Sequence, residues 1–460
     1  MLEVLLPPPR LPCLRIDGGA IGIVWWPLRV EEGGTTRAGE SKRERCRQCG
    51  RQAAVGSAEP TRGTGVTRVR VGALDRRGRI AIWVTIAVTG FAVLCPFLVG
   101  ALSVVMQDEF DLDSSDIGLA VGAFFAVSGS TAQMAGRIVA RIGTRRSIVV
   151  AALVGATGLL VIATAETWWV VVAGLVIGGS AAASVHPATA QLLAATVRGR
   201  HLGLAFGVKQ AGGPASTLLA GLAIPTLALW VGWRLTFVVA AAFISVLGLV
   251  AARVVGGLEA DPSPPEEDVE LEAPPMRLRL LAVGSLLGTA GGNSLGAMLA
   301  DSGTRYADLG EATIGFTIAG LSIATLAMRV GSGWAADAGR LDTDRMLRGM
   351  PALGMIGAAL LAVPTQATFF VGAALAFSFG WGWGGLLHYR VIAPQRGHAA
   401  RLTAVLMTGF ALGAATGPVL IGFVADVATY RVAWLVASLL FGLTWVSLYY
   451  GLPRSAPRSL

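Results

Sequence analysis

The sequence predicts an all-α polytopic membrane protein, with twelve transmembrane helices in two pseudo-symmetric six-helix bundles. Three observations lead there. The 460-residue chain is 54% hydrophobic and only 14% charged, against roughly 25% charged in a soluble domain. From residue 80 onward, apolar stretches of about 20 residues, the length a bilayer-crossing helix needs, follow one another. The two halves of the chain also repeat each other.

Charge placement divides the chain. The net charge is +9, but residues 1–79 hold 15 Lys/Arg against 8 Asp/Glu, while residues 80–460 hold 22 against 20. The basicity is largely that of an N-terminal extension rich in Arg, Gly and Pro, a composition that predicts disorder. Its apolar run at 20–26 is too short to span a bilayer, and no signal-peptide layout is present. Cys46 and Cys49 form one CxxC and Cys13 stands apart, with no His among residues 1–79; three thiols make a poor zinc site. No Met lies between Met1 and Met106, so a valine-type start at Val66, Val69 or Val71 is an alternative origin of the native chain. Nucleic-acid binding needs a basic face with motif or aromatic support, and the extension offers neither.

The spans fall near 80–105, 116–135, 147–165, 168–193, 202–229 and 233–255, then 280–300, 312–335, 346–364, 367–390, 402–427 and 431–452. Helices are expected because lipid cannot satisfy free backbone polar groups, and the alternation of barrel strands is absent. A polar segment at 256–279, carrying Pro262, Pro264, Pro265, Pro274 and Pro275, separates an N-terminal bundle (80–255) from a C-terminal one (280–460). With an inside N-terminus, inside loops and the C-terminus carry seventeen Arg, among them Arg137, Arg141, Arg145, Arg146, Arg340, Arg345, Arg348 and Arg390. The outside loops carry only Arg234, Arg305 and Arg431. This positive-inside bias puts both termini in the cytoplasm and the protein in the cytoplasmic (inner) membrane.

The repeat is explicit in places. Gly212-Gly-Pro-Ala-Ser-Thr-Leu-Leu-Ala-Gly221 and Gly413-Ala-Ala-Thr-Gly-Pro-Val-Leu-Ile-Gly422 share their outer glycines at one offset, and Arg200 maps onto Arg401 at that offset. Parallel six-helix halves with a site at the repeat interface are a transporter architecture. Close helix packing is the plainer reading of each small residue.

The loop after the second span reads Gly136-Arg137-Ile-Val-Ala140-Arg141-Ile-Gly143-Thr-Arg145-Arg146, and the second half carries Gly333-Trp-Ala-Ala-Asp337-Ala-Gly339-Arg340. With the helix count, linker and repeat over about 80–455, these loops resemble the major facilitator superfamily of secondary transporters. The resemblance implies the fold, alternating access, and a gating role for both loops, closing the cytoplasmic side. Two departures stand out. Ala140 replaces the acidic residue usual in the first loop, whereas Asp337 keeps its counterpart. The fourth span lacks the Arg common in proton-driven drug exporters of the family.

Ionisable groups inside spans are costly and point to function. Lys209 lies about eight residues into the fifth span, roughly 12 Å deep by helical rise, with no carboxylate in the spans of its half. It either snorkels to the inner headgroups or faces a cavity that favours an anion. His186 lies at similar depth on the fourth span, with Gln210 and Gln191 nearby; His186 either serves substrate or hydrogen-bonds a helix carbonyl. Asn293 is placed for a polar contact in the seventh span. Trp381 and Trp383 either stack on substrate or pack between helices. His388 lies nearer the inner end, in a gating or solvated position. Arg329, in the inner third of the eighth span, is a gate-lock candidate toward Asp337 two turns away.

The expected function is therefore secondary active transport, as symporter or antiporter, of a small anionic solute such as an organic acid. The partners are the bilayer, a small-molecule substrate and a coupling proton or ion. Two alternatives are a proton-coupled exporter of drugs or hydrophobic compounds, which would carry an intramembrane carboxylate, and a non-transporting receptor on the same fold. No cofactor, metal or nucleic acid is implied. A membrane-embedded enzyme would need a nucleophile–base pair, paired carboxylates or metal ligands in the spans, and none is present.

Overall fold

The computed structural model describes residues 10–17, 20–27, 74–197, 201–258, 277–340, 342–394 and 399–452. The chain forms two units, Met1–Arg68 and Val69–Leu460. In the first, the described residues form an antiparallel hairpin of β1 (Arg10–Asp17) and β2 (Ala20–Pro27), in a register that pairs Asp17 with Ala20. Composition had predicted no element there. The apolar run at 20–26 is long enough for a strand although too short for a span. The cysteine motif at 46–49 and the linker residues 259–276 lie outside the described residues.

The second unit is helical throughout its described residues. Its first span is α1 (Arg76–Ala92) and α2 (Leu94–Ala101), bent by 55°, followed by α3 (Ser103–Phe110). Asp75 caps α1, accepting from Gly78 N at 2.8 Å. Then come α4 (Ser114–Ile142), α5 (Thr144–Ala163) and α6 (Trp168–Thr196). The fifth span is broken into α7 (Leu202–Lys209), α8 (Gly212–Ala223) and a π-helical segment, Ile224–Ala228. Continuing from it, α9 (Leu229–Leu258) is interrupted at Gly232, whose φ of 79° starts the sixth span. Gly143 turns the chain between α4 and α5 with nearly the same backbone, φ 82° and ψ 163°. Both positions need a glycine because a Cβ disfavours positive φ.

The second half repeats the plan. It comprises α10 (Leu278–Arg305), α11 (Glu311–Asp337), α12 (Thr343–Leu361), a broken tenth span, α15 (Ala399–Val427) and α16 (Tyr430–Gly451). The broken span consists of α13 (Gln366–Leu375), a π-helical segment (Ala376–Gly380) and α14 (Gly384–Ile392). Among the described residues, eight stretches are individually long and apolar enough to cross a membrane, one of them being 202–258, which holds two passes. The bent first span, α10 and α12 complete twelve. Buried polar residues, including Ser285, Thr289, Asn293 and Ser294 on α10, lower its hydropathy without exposing it to lipid.

The bundles meet along α4–α15 and α7/α8–α11, contacts that the repeat exchanges. The repeated glycines explain the close approach. A Cβ at Gly221 would lie 2.8 Å from the Gly315 oxygen on α11, and one at Gly422 would lie 2.5 Å from the Ser114 oxygen on α4. Within each half, Gly212 seats against Thr89 of α1, and Gly413 against Leu286 of α10.

Candidate functional site

The site is built where the fifth and tenth spans break. Proline has no N–H to give to the residue four before it, so Pro214 leaves the Gln210 carbonyl without its helical donor. Arg329 of α11 supplies one. Its guanidinium donates through Nη1 to Gln210 O, and through Nε (3.1 Å) and Nη2 to the Trp381 carbonyl in the turn before α14. The same guanidinium lies 5.1 Å from the Trp381 ring centroid. Arg329 is 6% exposed, so this cation is spent on stitching two interrupted helices from opposite halves.

The expected Arg329–Asp337 pair is therefore corrected. Two helical turns separate them, and the freed carbonyls lie within closer reach of the guanidinium. Asp337 instead accepts from Gly203 N and Leu204 N, both at 2.8 Å. It satisfies the free N–H groups in the first turn of α7, across the interface between the bundles.

Lys209 ends α7 just before the break. It lies within electrostatic range of His186 on α6 and His388 on α14, and among the described residues no carboxylate pairs with it. His186 Nδ1 is buried with no hydrogen-bond partner. His388 corrects its expected solvated position. It is 2% exposed, its Nδ1 is 2.9 Å from Gly384 O and 3.4 Å from Gln210 Nε2, and its ring lies 5.8 Å from the Phe206 ring and 5.1 Å from the Phe410 ring. Four elements thus bring Lys209, Gln210, His186, His388, Phe206 and Phe410 together.

The other sequence candidates divide. Trp381 is packed against Phe97 (5.5 Å) and Phe377 (5.4 Å). Trp383 gives its indole N–H to Gly380 O at 2.8 Å and rests on Phe410; both are packing residues of the tenth-span break. Asn293 is buried on α10, next to Gly292, which abuts Trp381. Gln191 is not part of the cluster: its amide oxygen accepts from Thr144 Oγ1 at 3.2 Å at the start of α5.

Call the end of the bundle that holds the α4–α5 turn the inner end. Arg137, Arg141, Arg145 and Arg146 are exposed there, Gly136 has open space around it, and Arg145 lies over Gly256. In the second half Gly333 abuts Gly203, Gly339 turns the chain at φ 61°, and Arg340 covers the Trp334 ring at 4.6 Å. At the outer end, residues that the sequence placed only as helix ends form a knot. Asp301, 0% exposed, accepts through Oδ2 from Ser114 Oγ (2.9 Å), Gln107 Nε2 (3.3 Å) and Tyr430 Oη, and its Oδ1 faces Arg305 Nε at 2.9 Å. Arg305 also reaches Asp108 at 2.6 Å. Asp426 accepts from Ser114 N (3.0 Å) and Ser115 N (2.6 Å), capping α4 as Asp337 caps α7.

The Major Facilitator Superfamily model matches residues 80–392. The chain belongs to the Major Facilitator Superfamily. The match takes in the motifs at 136–146 and 333–340 and the whole Lys209 cluster except Phe410, and it stops at the end of the tenth span. Two solved structures share the superfamily fold. The human organic anion transporter MFSD10 (TETRAN) aligns with a TM-score of 0.56 at 15% identity, over 81% of this chain and 99% of its own. A bacterial homolog of the human lysosomal transporter Spinster, inward-facing and unoccupied, aligns with a TM-score of 0.62 at 14% identity, over 84% and 100%. No curated protein matches the chain in sequence. As a major facilitator, this is a multi-pass transporter of a small molecule and not an enzyme.

Proposed function

We propose that this major facilitator moves a small anionic solute, an organic acid, across the cytoplasmic membrane by alternating access, with both termini in the cytoplasm. The observation that carries the reading is Lys209. It sits at the break of the fifth span, within electrostatic range of His186 and His388, with no carboxylate partner among the described residues. An unpaired cation in a span is costly, and a substrate anion supplies the missing charge. Arg329 does not compete for that anion, since two main-chain carbonyls hold its guanidinium. A drug or cation exporter would need a carboxylate at this depth, and the first half has none in its spans.

The Asp337 cap on α7 and the Asp301–Asp426 knot at the other end supply the latches that alternate. Each spans the bundle interface at one end only, so rocking the halves breaks one set at a time. The seventeen inside arginines support the orientation.

Ligand stabilisation of the purified protein tests the reading. A ligand that binds the folded state raises apparent stability by mass action. Carboxylates are expected to raise Tm in wild type and not in Lys209→Ala, while amines and neutral drugs leave it unchanged. No shift with any anion, or a shift that survives Lys209→Ala, overturns it.

A further inference from the structure

The surroundings of Lys209 narrow the substrate class, on the footing that Lys209 binds an anion. We infer that the preferred substrate is an aromatic monocarboxylate: one negative charge on a flat apolar body.

The valence follows from the charges that converge. Among the described residues, two cationic side chains, Lys209 and Arg329, approach the break of the fifth span. Arg329 donates from Nε, Nη1 and Nη2 to the carbonyls of Gln210 and Trp381, and it faces the Trp381 ring. Withdrawing it would strip a buried charge of its partners, a change that is strongly destabilising. That leaves Lys209, so the site neutralises one negative charge. A second carboxylate or a doubly charged phosphate would be buried unpaired.

The body follows from the walls. Phe206 stands one helical turn before Lys209 on α7, so the two share a face. Phe206 and Phe410 both pack on the His388 ring, at interplanar angles of 24° and 36°. Both phenylalanines are only partly buried, whereas Trp381, Trp383 and Phe97 are fully packed. Phe206 and Phe410 therefore keep ring surface for a ligand, and offset aromatic stacking adds to plain apolar burial. His186, within electrostatic range of Lys209, has its Nδ1 buried without a partner, and Gln210 Nε2 has only a long 3.4 Å contact. These polar atoms fit the carboxylate end or one further hydrogen-bonding substituent. A hydrophilic anion such as acetate would leave the ring surface uncovered.

Calorimetric titration of the purified full-length protein with benzoate, acetate, succinate and inorganic phosphate tests this. Benzoate is expected to bind at least about 10-fold more tightly than each of the other three. Phe206→Leu and Phe410→Leu, which keep apolar volume but lose the ring face, are expected to weaken benzoate about 5-fold and to leave acetate unchanged. Succinate, phosphate or acetate binding as tightly as benzoate overturns the inference, as does a Leu variant that weakens benzoate and acetate alike. Absence of binding by all four contradicts the anion site itself, a distinct failure. Retention of benzoate binding in Lys209→Ala does the same.

Discussion

Arg329 donates to the carbonyl of Gln210, the residue that follows α7 and whose carbonyl Pro214 deprives of its helical donor. A residue of the eighth span thereby completes the hydrogen bonding of the fifth. Arg329→Met is expected to destabilise the protein by about 3–5 kcal/mol, because it orphans buried carbonyls and removes packing on Trp381. Arg329→Lys is expected to recover part of this, since an ammonium cannot reproduce the planar fork. Unfolding in detergent, followed by tryptophan fluorescence, measures both; equal stability of Arg329→Met and wild type would rule the stitch out.

Asp337 caps α7 across the bundle interface through two 2.8 Å hydrogen bonds. Asp337→Asn keeps the shape and loses the charge, at a cost of about 1–2 kcal/mol for a cap with a favourable helix dipole. About 1.4 kcal/mol is a tenfold change in an equilibrium, so the inner end should open roughly tenfold more often. The alkylation rate of a cysteine introduced at Leu204, which is buried against Gly333, reports this opening. An unchanged rate in Asp337→Asn would show that the cap does not latch the inner end.

Glu109 pairs with Arg234 at 2.6 Å and accepts from the Trp233 indole at 2.6 Å, outside the spans. The hydrogen bond from Arg234 is the main influence holding its carboxyl below the ordinary value of 4.5, against a smaller desolvation effect. A lowered folded pKa contributes stability that is present above the unfolded value and is lost as pH falls through the folded one. The stability difference between wild type and Glu109→Gln should therefore be constant from pH 8 to 6 and close as the solution is taken below pH 4. The pair is largely exposed, so the difference is small. A gap that widens on acidification would reverse the sign of this account.

The repeat-related glycines should respond alike to substitution. Gly221→Ala and Gly422→Ala each push a methyl into the main chain of a helix in the other half, which costs about 1–3 kcal/mol where the neighbour cannot shift. Gly136→Ala lies inside α4, meets nothing within 4 Å, and should be neutral to about 1 kcal/mol stabilising, since Ala favours a helix over Gly. Thermal unfolding of the three variants separates glycines packed on another helix from a helical glycine with open space around it, and equal Tm values for all three would refute the distinction.

Span count and repeat were readable from the sequence because lipid imposes length and hydropathy on each helix, but α4 runs on to Ile142 where the sequence placed a loop from Gly136. Lys209 and His186 stood out as ionisable groups at matching depth. Periodicity could not show the break of the tenth span at Trp381, which rotates His388 into the interior against Phe206 and Phe410. Nor could it show that Arg329 turns to carbonyls and away from Asp337. That choice depends on backbone acceptors made available by proline and by a π-helical segment, and main-chain acceptors carry no residue letter. The outer knot at Asp301 was hidden for a related reason: its partners Gln107, Ser114 and Tyr430 come from three separate helix ends.

Counterflow in proteoliposomes tests the transport claim most directly. Vesicles loaded with unlabelled benzoate and diluted into labelled benzoate should accumulate label transiently with wild-type protein and not with Lys209→Ala. Succinate loaded inside should not drive the exchange. No counterflow with any carboxylate, or full counterflow in Lys209→Ala, would contradict an anion transporter built around this lysine.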